Sequence, residues 1–339
     1  MPKLPLTFAC GPYDRMEALN YGLIDVEGID LNFLEIQAPR EIFDRMVGAQ
    51  EFDLSEMSLA EYVTMTAKDI SPFVAIPVFP SKAFRHAFIC VNKKAGIKEP
   101  KDLAGKRIGT PLYTQTAAIW IRGDLENIYG VDLSGVQWIQ GAMEKPGSHG
   151  DPPAPPQLLE PVEIIPNTSD KSLSQMLAEG DIDAVLGSRM PDSVRTDPDR
   201  VGYLFPNFRE EEKRYYKEHR IHPIMHTVVI RKDVYAQHNW VAQSLYKAFL
   251  AAKDWAQEAM YFSGAQKYML PWLFDDLREI DEVFGGDPWP YGIDIEMKTS
   301  GCFRRTNSDS PLPPIYSCSI SCIIRLHINW QRRQRHTRM

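Results

Sequence analysis

Ile29-Asp-Leu-Asn-Phe-Leu34 alternates apolar and polar side chains behind the turn residue Gly28, and Pro39 then opens a stretch whose apolar positions Ile42, Phe43, Met46 and Val47 keep a helical period. A period of two marks a strand with one face buried, and a period of 3.6 marks an amphipathic helix. Proline suits the first helical position, where its missing N–H costs nothing. Working outward, Leu6–Ala9 is a short apolar run and Tyr13–Tyr21 has helical character. On the far side Phe52–Glu56 reads as a strand, Leu59–Thr66 as a helix, and Phe73–Phe79 as a buried strand ended by Pro80. Strand and helix in strict alternation imply a parallel sheet with crossover helices.

The alternation resumes in a second block. Phe88–Val91 and Lys106–Gly109 read as strands, Ala117–Tyr129 as a helix closed by Gly130, and Val136–Ile139 and Val162–Ile165 as further strands. Leu173–Ala178 is a helix ending at Gly180, and Ile182–Leu186 a strand. The proline-rich and glycine-rich stretch Pro146–Pro161 reads as an exposed loop. His226–Ile230 is a last strand, and Val241–Met260 a long helix with Leu245, Phe249, Ala252 and Trp255 along one face. Two α/β blocks imply a two-lobed protein with hinge strands Phe84–Val91 and Ile224–Ile230 and a ligand cleft between the lobes. The expected division is residues 1–86 plus 228–296, then 87–227, with 297–339 as an atypical tail.

Composition bounds the function. The 339 residues are 44% hydrophobic and 24% charged, with a net charge of -7. Phosphate-tracking proteins carry a basic excess, so no nucleic-acid partner is expected. No run approaches the roughly 18 apolar residues of a membrane span, and no signal-peptide core precedes Gly11, so the expected compartment is the cytosol with no membrane partner. Cys10 and Cys90 are too separate to frame a disulfide scaffold. From Met297 onward eight Lys/Arg face a single Asp, and Cys302, Cys318 and Cys322 lack any amphipathic period. That tail reads either as a disordered basic segment or as a translated intron or shifted frame. Cys318 and Cys322, with His327 and His336, fit zinc-finger spacing poorly, and no metal is expected.

There is no Gly-x-Gly-x-x-Gly after a strand, no phosphate-cradling Gly-x-x-x-x-Gly-Lys loop and no Gly-x-Ser-x-Gly elbow. The informative residues lie instead at strand ends. Ala9-Cys-Gly-Pro-Tyr-Asp-Arg15, Phe52-Asp-Leu-Ser-Glu-Met-Ser58, Ile76-Pro-Val-Phe-Pro-Ser81, Phe84-Arg-His86, Thr116-Ala-Ala-Ile-Trp-Ile-Arg-Gly123, Pro223-Ile-Met-His-Thr-Val-Val-Ile230 and Trp289-Pro-Tyr-Gly292 follow one another in order. Together they closely resemble the 4,5-dihydroxyphthalate decarboxylases, from about residue 4 to residue 293. The resemblance implies a type II periplasmic-binding-protein-like α/β fold. It also implies loss of one carboxyl group from a dihydroxylated phthalate, giving protocatechuate, with no cofactor. Where relatives continue with a helical segment after Trp-Pro-Tyr-Gly, this chain has its unusual tail.

Such a reaction protonates the ring carbon bearing the carboxylate, so it needs cations for two carboxylates, an acid at the ring and a base at the phenol. Arginine meets a carboxylate with a planar fork, and Arg15, Arg85 and Arg189 are the candidate clamps. Arg122, inside a helix, has a surface or packing role as the equal alternative. Histidine titrates near neutrality, and His86 and His226 are the candidate proton donors, with His222 less supported. Were the two hinge strands side by side, both imidazoles would face one cleft. Glu56 and Asp14 are the carboxylates for the phenolic end, although Asp14 and Ser58 also suit helix capping. Tyr13, Ser58, Tyr113 and Thr116 are candidate substrate contacts, and Trp120 and Tyr291 share the choice between walling the ring and packing the core. The expected partner is a small aromatic carboxylate, with a homo-oligomer left open. Two other readings stand: a non-catalytic solute-binding protein for a small aromatic or heterocyclic anion, and a synthase related to thiamine-pyrimidine enzymes. The latter calls for a histidine- and cysteine-rich site that the body of the chain lacks.

Overall fold

The computed structural model of the chain describes residues 2–150 and 162–292, so most of the expected 146–161 loop and all of the 297–339 tail lie outside them. The chain divides into two compact units, residues 1–82 with the segment from 219 onward, and residues 83–218. The first opens with β1 (Leu4–Cys10), α1 (Asp14–Asn20), β2 (Ile29–Glu35), α2 (Pro39–Ala49), β3 (Leu54–Ser58), α3 (Leu59–Ala67) and β4 (Phe73–Lys82). The second holds β5 (Ile89–Asn92), β6 (Arg107–Thr110), α4 (Thr116–Asn127), β7 (Gln137–Gln140), β8 (Ile164–Pro166), α5 (Leu173–Glu179), β9 (Ala184–Leu186), α6 (Ser193–Thr196), β10 (Val201–Tyr203) and most of α7 (Phe208–His219). The chain then returns through β11 (Ile224–Arg231), α8 (Lys232–Gln237), α9 (Val241–Tyr261) and α10 (Leu273–Phe284).

In the first unit the strand order is β2-β1-β3-β11-β4. β1 runs parallel to β2 and β3, whereas β11 is antiparallel to both β3 and β4. The sheet is therefore mixed, which corrects the all-parallel expectation: the strand returning from the second unit runs against its neighbours. β3 occupies the middle, and all five of its residues are buried. β4 continues through Pro80 to Lys82 rather than ending there. It lies at the sheet edge, where a proline forfeits no ladder hydrogen bond on the outer side. Phe8 lies edge-on to Phe33 and Phe249, each pair 5.2 Å between centroids. Burying each such ring contributes about 1.5–3 kcal/mol. Leu245, Phe249 and Ala252 face inward along α9 as its period requires, with Trp255 half-buried.

The second sheet has the order β10-β5-β9-β6-β7-β8. Along β9 the faces alternate: Ala184 and Leu186 join the cluster of Ile108, Leu125 and Trp138, while Val185 joins Cys90, Leu173 and Leu177. The expected hinge strand Phe84–Val91 is instead a 3-10 turn at His86–Phe88 followed by β5. β5 pairs with β9 and β10, and β11 with β3 and β4, so the two expected hinge strands belong to different sheets. α7, with the sequence FREEEKRYYKEH, escapes periodicity reasoning because Tyr215 alone among its residues is buried. Among the described residues no helix is long and apolar enough to cross a membrane.

Candidate active site

β1 and β3 run parallel, so Cys10 and the turn after it stand beside the middle of β3. Glu56 points into that junction with no solvent exposure. A carboxylate buried in a central strand must find donors, and Glu56 finds several. Gly11 donates its backbone N–H at 3.0 Å and Tyr13 its hydroxyl at 2.6 Å. His226 Nδ1 sits 2.5 Å from Oε1, and the Cys10 thiol lies 3.6 Å from Oε2. Burial alone would raise the Glu56 pKa, but the His226 charge and hydrogen bond, with those of Tyr13 and Gly11, outweigh it and hold the group below the ordinary carboxylate range. Glu56 is thus an ionised acceptor. That places the Nδ1 proton on His226 and leaves Nε2 as the nitrogen not engaged by Glu56. Phe43 meets the imidazole edge-on at 5.0 Å, and Arg40, paired with buried Glu61, covers Phe43 in turn. His226 comes from β11 opposite Ser58, so adjacent strands fix the acid and its partner from both sides.

A side chain at Gly11 would be crowded. An added Cβ would sit 3.0 Å from the Tyr13 ring and 3.4 Å from Glu56 Oε2. Tyr13 itself is held protonated by burial and by the Glu56 charge, so its hydroxyl is a donor. The thiol of Cys10 is likewise raised, first by burial and then by Glu56, which makes it a poor nucleophile.

Arg15 forms the second part of the site. Its guanidinium is stacked between Tyr13, at 4.5 Å, and Trp289, at 4.1 Å. Nε donates to Pro80 O at 2.7 Å, Nη2 to the same carbonyl, and Nη1 to Asp14 Oδ1 at 2.9 Å. Trp289 is fixed by its own bond to Phe79 O at 2.8 Å. Asp14 therefore serves Arg15, and makes no side-chain cap for α1. Beside this cluster half-buried His222 packs against Trp289 and donates Nδ1–H to Pro288 O at 3.2 Å. Burial, then the charges of Lys82 and Arg15, lower its pKa to about 3. Arg15, Asp14, Tyr13, Glu56, Ser58 and His226 all belong to the first unit.

Of the remaining sequence candidates, Tyr291 belongs to the first unit and the others lie in the second. Arg85 is buried, with Nη1 donating to Ser188 O at 3.3 Å and Cζ over Phe88 at 4.6 Å. His86 packs against Tyr129, Phe205 and Tyr215. Tyr129 gives its hydroxyl proton to Glu211 at 2.6 Å, so His86 Nε2 donates to Tyr129 at 2.7 Å and Nδ1 faces Glu212 at 3.7 Å. Arg122 donates to Tyr113 O at 2.6 Å and covers the Tyr113 ring, a packing role. Thr116 is buried as the first residue of α4. Arg189 is 65% exposed, with Asp192 at 3.8 Å. The structure thus brings His226 together with Glu56 and gives His86 a separate set of partners. Sequence reasoning missed the Gly11 N–H, Phe43 and Trp289. Trp289 sits in a quoted motif, whereas a backbone donor and a strut ring carry no sequence signal of their own.

A relative named 4,5-dihydroxyphthalate decarboxylase from Comamonas testosteroni is 39% identical over 293 residues, covering 86% of this chain and 88% of its own. One of the same name from Pseudomonas putida is 38% identical over 219 residues, covering 64% and 83%. The family model described as NMT1/THI5 like matches residues 18–145. Among solved structures, one from Bordetella bronchiseptica RB50 superposes with a TM-score of 0.51 at 16% identity over 97% of this chain and 98% of that one. A periplasmic sulfonate-binding protein from Methylobacillus flagellatus KT does so with a TM-score of 0.50 at 13% identity, covering 91% and 88%. The fold is accordingly of the type II periplasmic-binding-protein-like class expected, and the chain belongs to the 4,5-dihydroxyphthalate decarboxylase family.

Proposed function

We propose that the chain is a carboxy-lyase that removes one carboxyl group from 4,5-dihydroxyphthalate, releasing carbon dioxide and protocatechuate. The observation that carries this reading is the ionised, solvent-free Glu56 locked onto His226 Nδ1 beside the stacked guanidinium of Arg15. The carboxylate orients the ring and supplies the counter-charge for an imidazolium, as the buried carboxylate does in other carboxylate–histidine pairs. His226 in its cationic form delivers the Nε2 proton to the ring carbon that bears the leaving carboxylate. The bond to that carboxyl carbon then breaks, its electron pair restores the aromatic ring, and carbon dioxide departs. His226 is left neutral, its Nδ1–H still donated to Glu56, and Nε2 is ready to take a proton from solvent.

A hydroxyl para to the departing group feeds electrons into the protonated ring, more so when a base draws off its proton. Asp14 is assigned that base, through the oxygen that Arg15 does not hold. Arg15 grips a substrate carboxylate, prealigned by Pro80 O and two aromatic faces so that little freedom is lost on binding. A general acid contributes about 10²–10⁴-fold, and positioning can contribute roughly 7–11 kcal/mol. A cytosolic location suits a substrate that is a dianion and crosses no bilayer unaided. The alternative, capture of an aromatic anion without chemistry, draws on the sulfonate-binding structural neighbour. Incubation of the purified protein with 4,5-dihydroxyphthalate separates the two: carbon dioxide and protocatechuate support the lyase, and tight binding without turnover supports the binding protein.

A further inference from the structure

Tyr291 is a phenol with no use in the scheme above. It is 4% exposed, and its hydroxyl has no hydrogen-bond partner among the described residues. Its place is fixed from both sides, since Trp289 Nε1 donates to Phe79 O at 2.8 Å and the Gly292 N–H to Pro77 O at 2.9 Å. Gly292 has φ +105°, a conformation that favours glycine, so the turn holding Tyr291 is built rather than incidental. Buried polar groups are nearly always satisfied, and an orphan usually points to a missing ligand or water.

The groups acting on Tyr291 include Arg15, Cys10, Asp14 and Asp287, and the Lys253 ammonium, itself paired with Asp287, lies 5.5 Å from the ring centroid. Burial first, then the acidic neighbours against Arg15, keeps the phenol protonated well above its ordinary range, so the orphan is a donor. Arg15 has five N–H donors. Three are spent on Pro80 and Asp14, which leaves two, one on each Nη, without a partner among the described residues. Lys82, buried at the end of β4, adds positive potential that His222 registers together with that of Arg15. Unspent N–H and O–H donors call for an acceptor-rich ligand, and a carboxylate meets them with two oxygens.

We propose that the Tyr291 hydroxyl and the two remaining Arg15 N–H groups form a carboxylate subsite in the first unit, with Tyr291 selecting diacids over the corresponding uncharged diphenols. This rests on the decarboxylase reading for the identity of the diacid, but the subsite can be tested without turnover. Tyr291→Phe removes the hydroxyl and keeps the ring. Calorimetric titration with phthalate should show affinity about tenfold weaker in the variant, the loss of one good hydrogen bond to a charged group. Titration with catechol, which has no carboxylate, should be unchanged. The ligand-free variant should melt no lower than the parent, because a lone buried hydroxyl confers no stability. Equal phthalate affinity overturns the subsite, and so does a marked drop in the melting temperature of the ligand-free variant, which would mean the hydroxyl is bonded within the protein. Should the parent release no carbon dioxide from 4,5-dihydroxyphthalate while Tyr291→Phe still loses phthalate selectively, the lyase reading falls and the subsite stands.

Discussion

Glu56→Gln is the most informative single change. The carboxylate receives Tyr13 and His226 on one oxygen and Gly11, with the Cys10 thiol near, on the other. An amide has one acceptor oxygen, so in either orientation its NH2 faces groups that are themselves donors. If the NH2 meets His226, Nδ1 must become an acceptor, the proton moves to Nε2, and the tautomer is wrong. If it meets Gly11, a backbone N–H is left opposed. In both cases an imidazolium loses its counter-charge. Each hydrogen bond to a buried charge is worth about 1.5–3 kcal/mol. With two donors mispaired, stability should fall by roughly 3–6 kcal/mol, less whatever the site recovers by relaxing. The rate should fall on the order of 10²–10⁴-fold in kcat with a smaller change in KM. Loss of ultraviolet absorbance from 4,5-dihydroxyphthalate gives the rate, and circular dichroism melts give the stability. Because the folded pKa of Glu56 is lowered, its stabilisation is present above the unfolded-state pKa and fades as pH falls through the folded one. The variant should therefore lose stability less steeply on acidification. A Glu56→Gln variant with kcat within about threefold of the parent would refute the Glu56–His226 assignment.

Other outcomes follow from the same geometry. Gly11→Ala pushes a methyl group into the Tyr13 ring and toward Glu56, and kcat/KM should drop by about tenfold or more through displaced donors, while unaltered kinetics would show that the turn relaxes freely. His86→Ala empties a site walled by Tyr129, Phe205 and Tyr215 and should cost about 3 kcal/mol in denaturant titrations, whereas an intact melt with a roughly hundredfold slower kcat would instead make His86 the proton donor. Asp124 is buried beneath Tyr215 OH, and burial raises its pKa to about 7. The native state keeps a proton there that the unfolded chain has already lost, so stability falls as pH rises from the ordinary aspartate value toward about 7. Asp124→Asn should remove that slope, stabilising the protein at about pH 8 relative to the parent by on the order of 4 kcal/mol, and equal differences at acidic and alkaline pH would contradict it.

The alternation of periods across Ile29–Val47 was sufficient for the α/β class, because side-chain burial repeats at two or 3.6 residues whatever the partner strand. Strand direction was not legible in the same way. β11 is apolar on its own account, and nothing in Ile224–Ile230 says that it runs against β3 and β4. Pro80 misled because proline breaks a central strand and not an edge one, and edge position is a tertiary fact. Polar α7 stayed hidden for want of an apolar stripe. In the site, Arg15, Glu56 and His226 were visible as chemistry-bearing residues at strand ends. Their pairing was not, since it depends on β1, β3 and β11 being neighbours. Arg15 reads as a clamp from sequence, but the Pro80 carbonyl and Trp289 face that hold it are separated from it along the chain and meet it only in the fold.

The most direct measurement is a turnover of 4,5-dihydroxyphthalate by the parent protein in heavy water, followed by proton NMR of the product. Proton delivery from His226 to the carbon that loses its carboxyl group requires protocatechuate with one deuterium, at that ring position alone, formed in step with carbon dioxide. Product carrying hydrogen there, or deuterium spread over the other ring carbons, or no product from protein that binds the diacid, would contradict it.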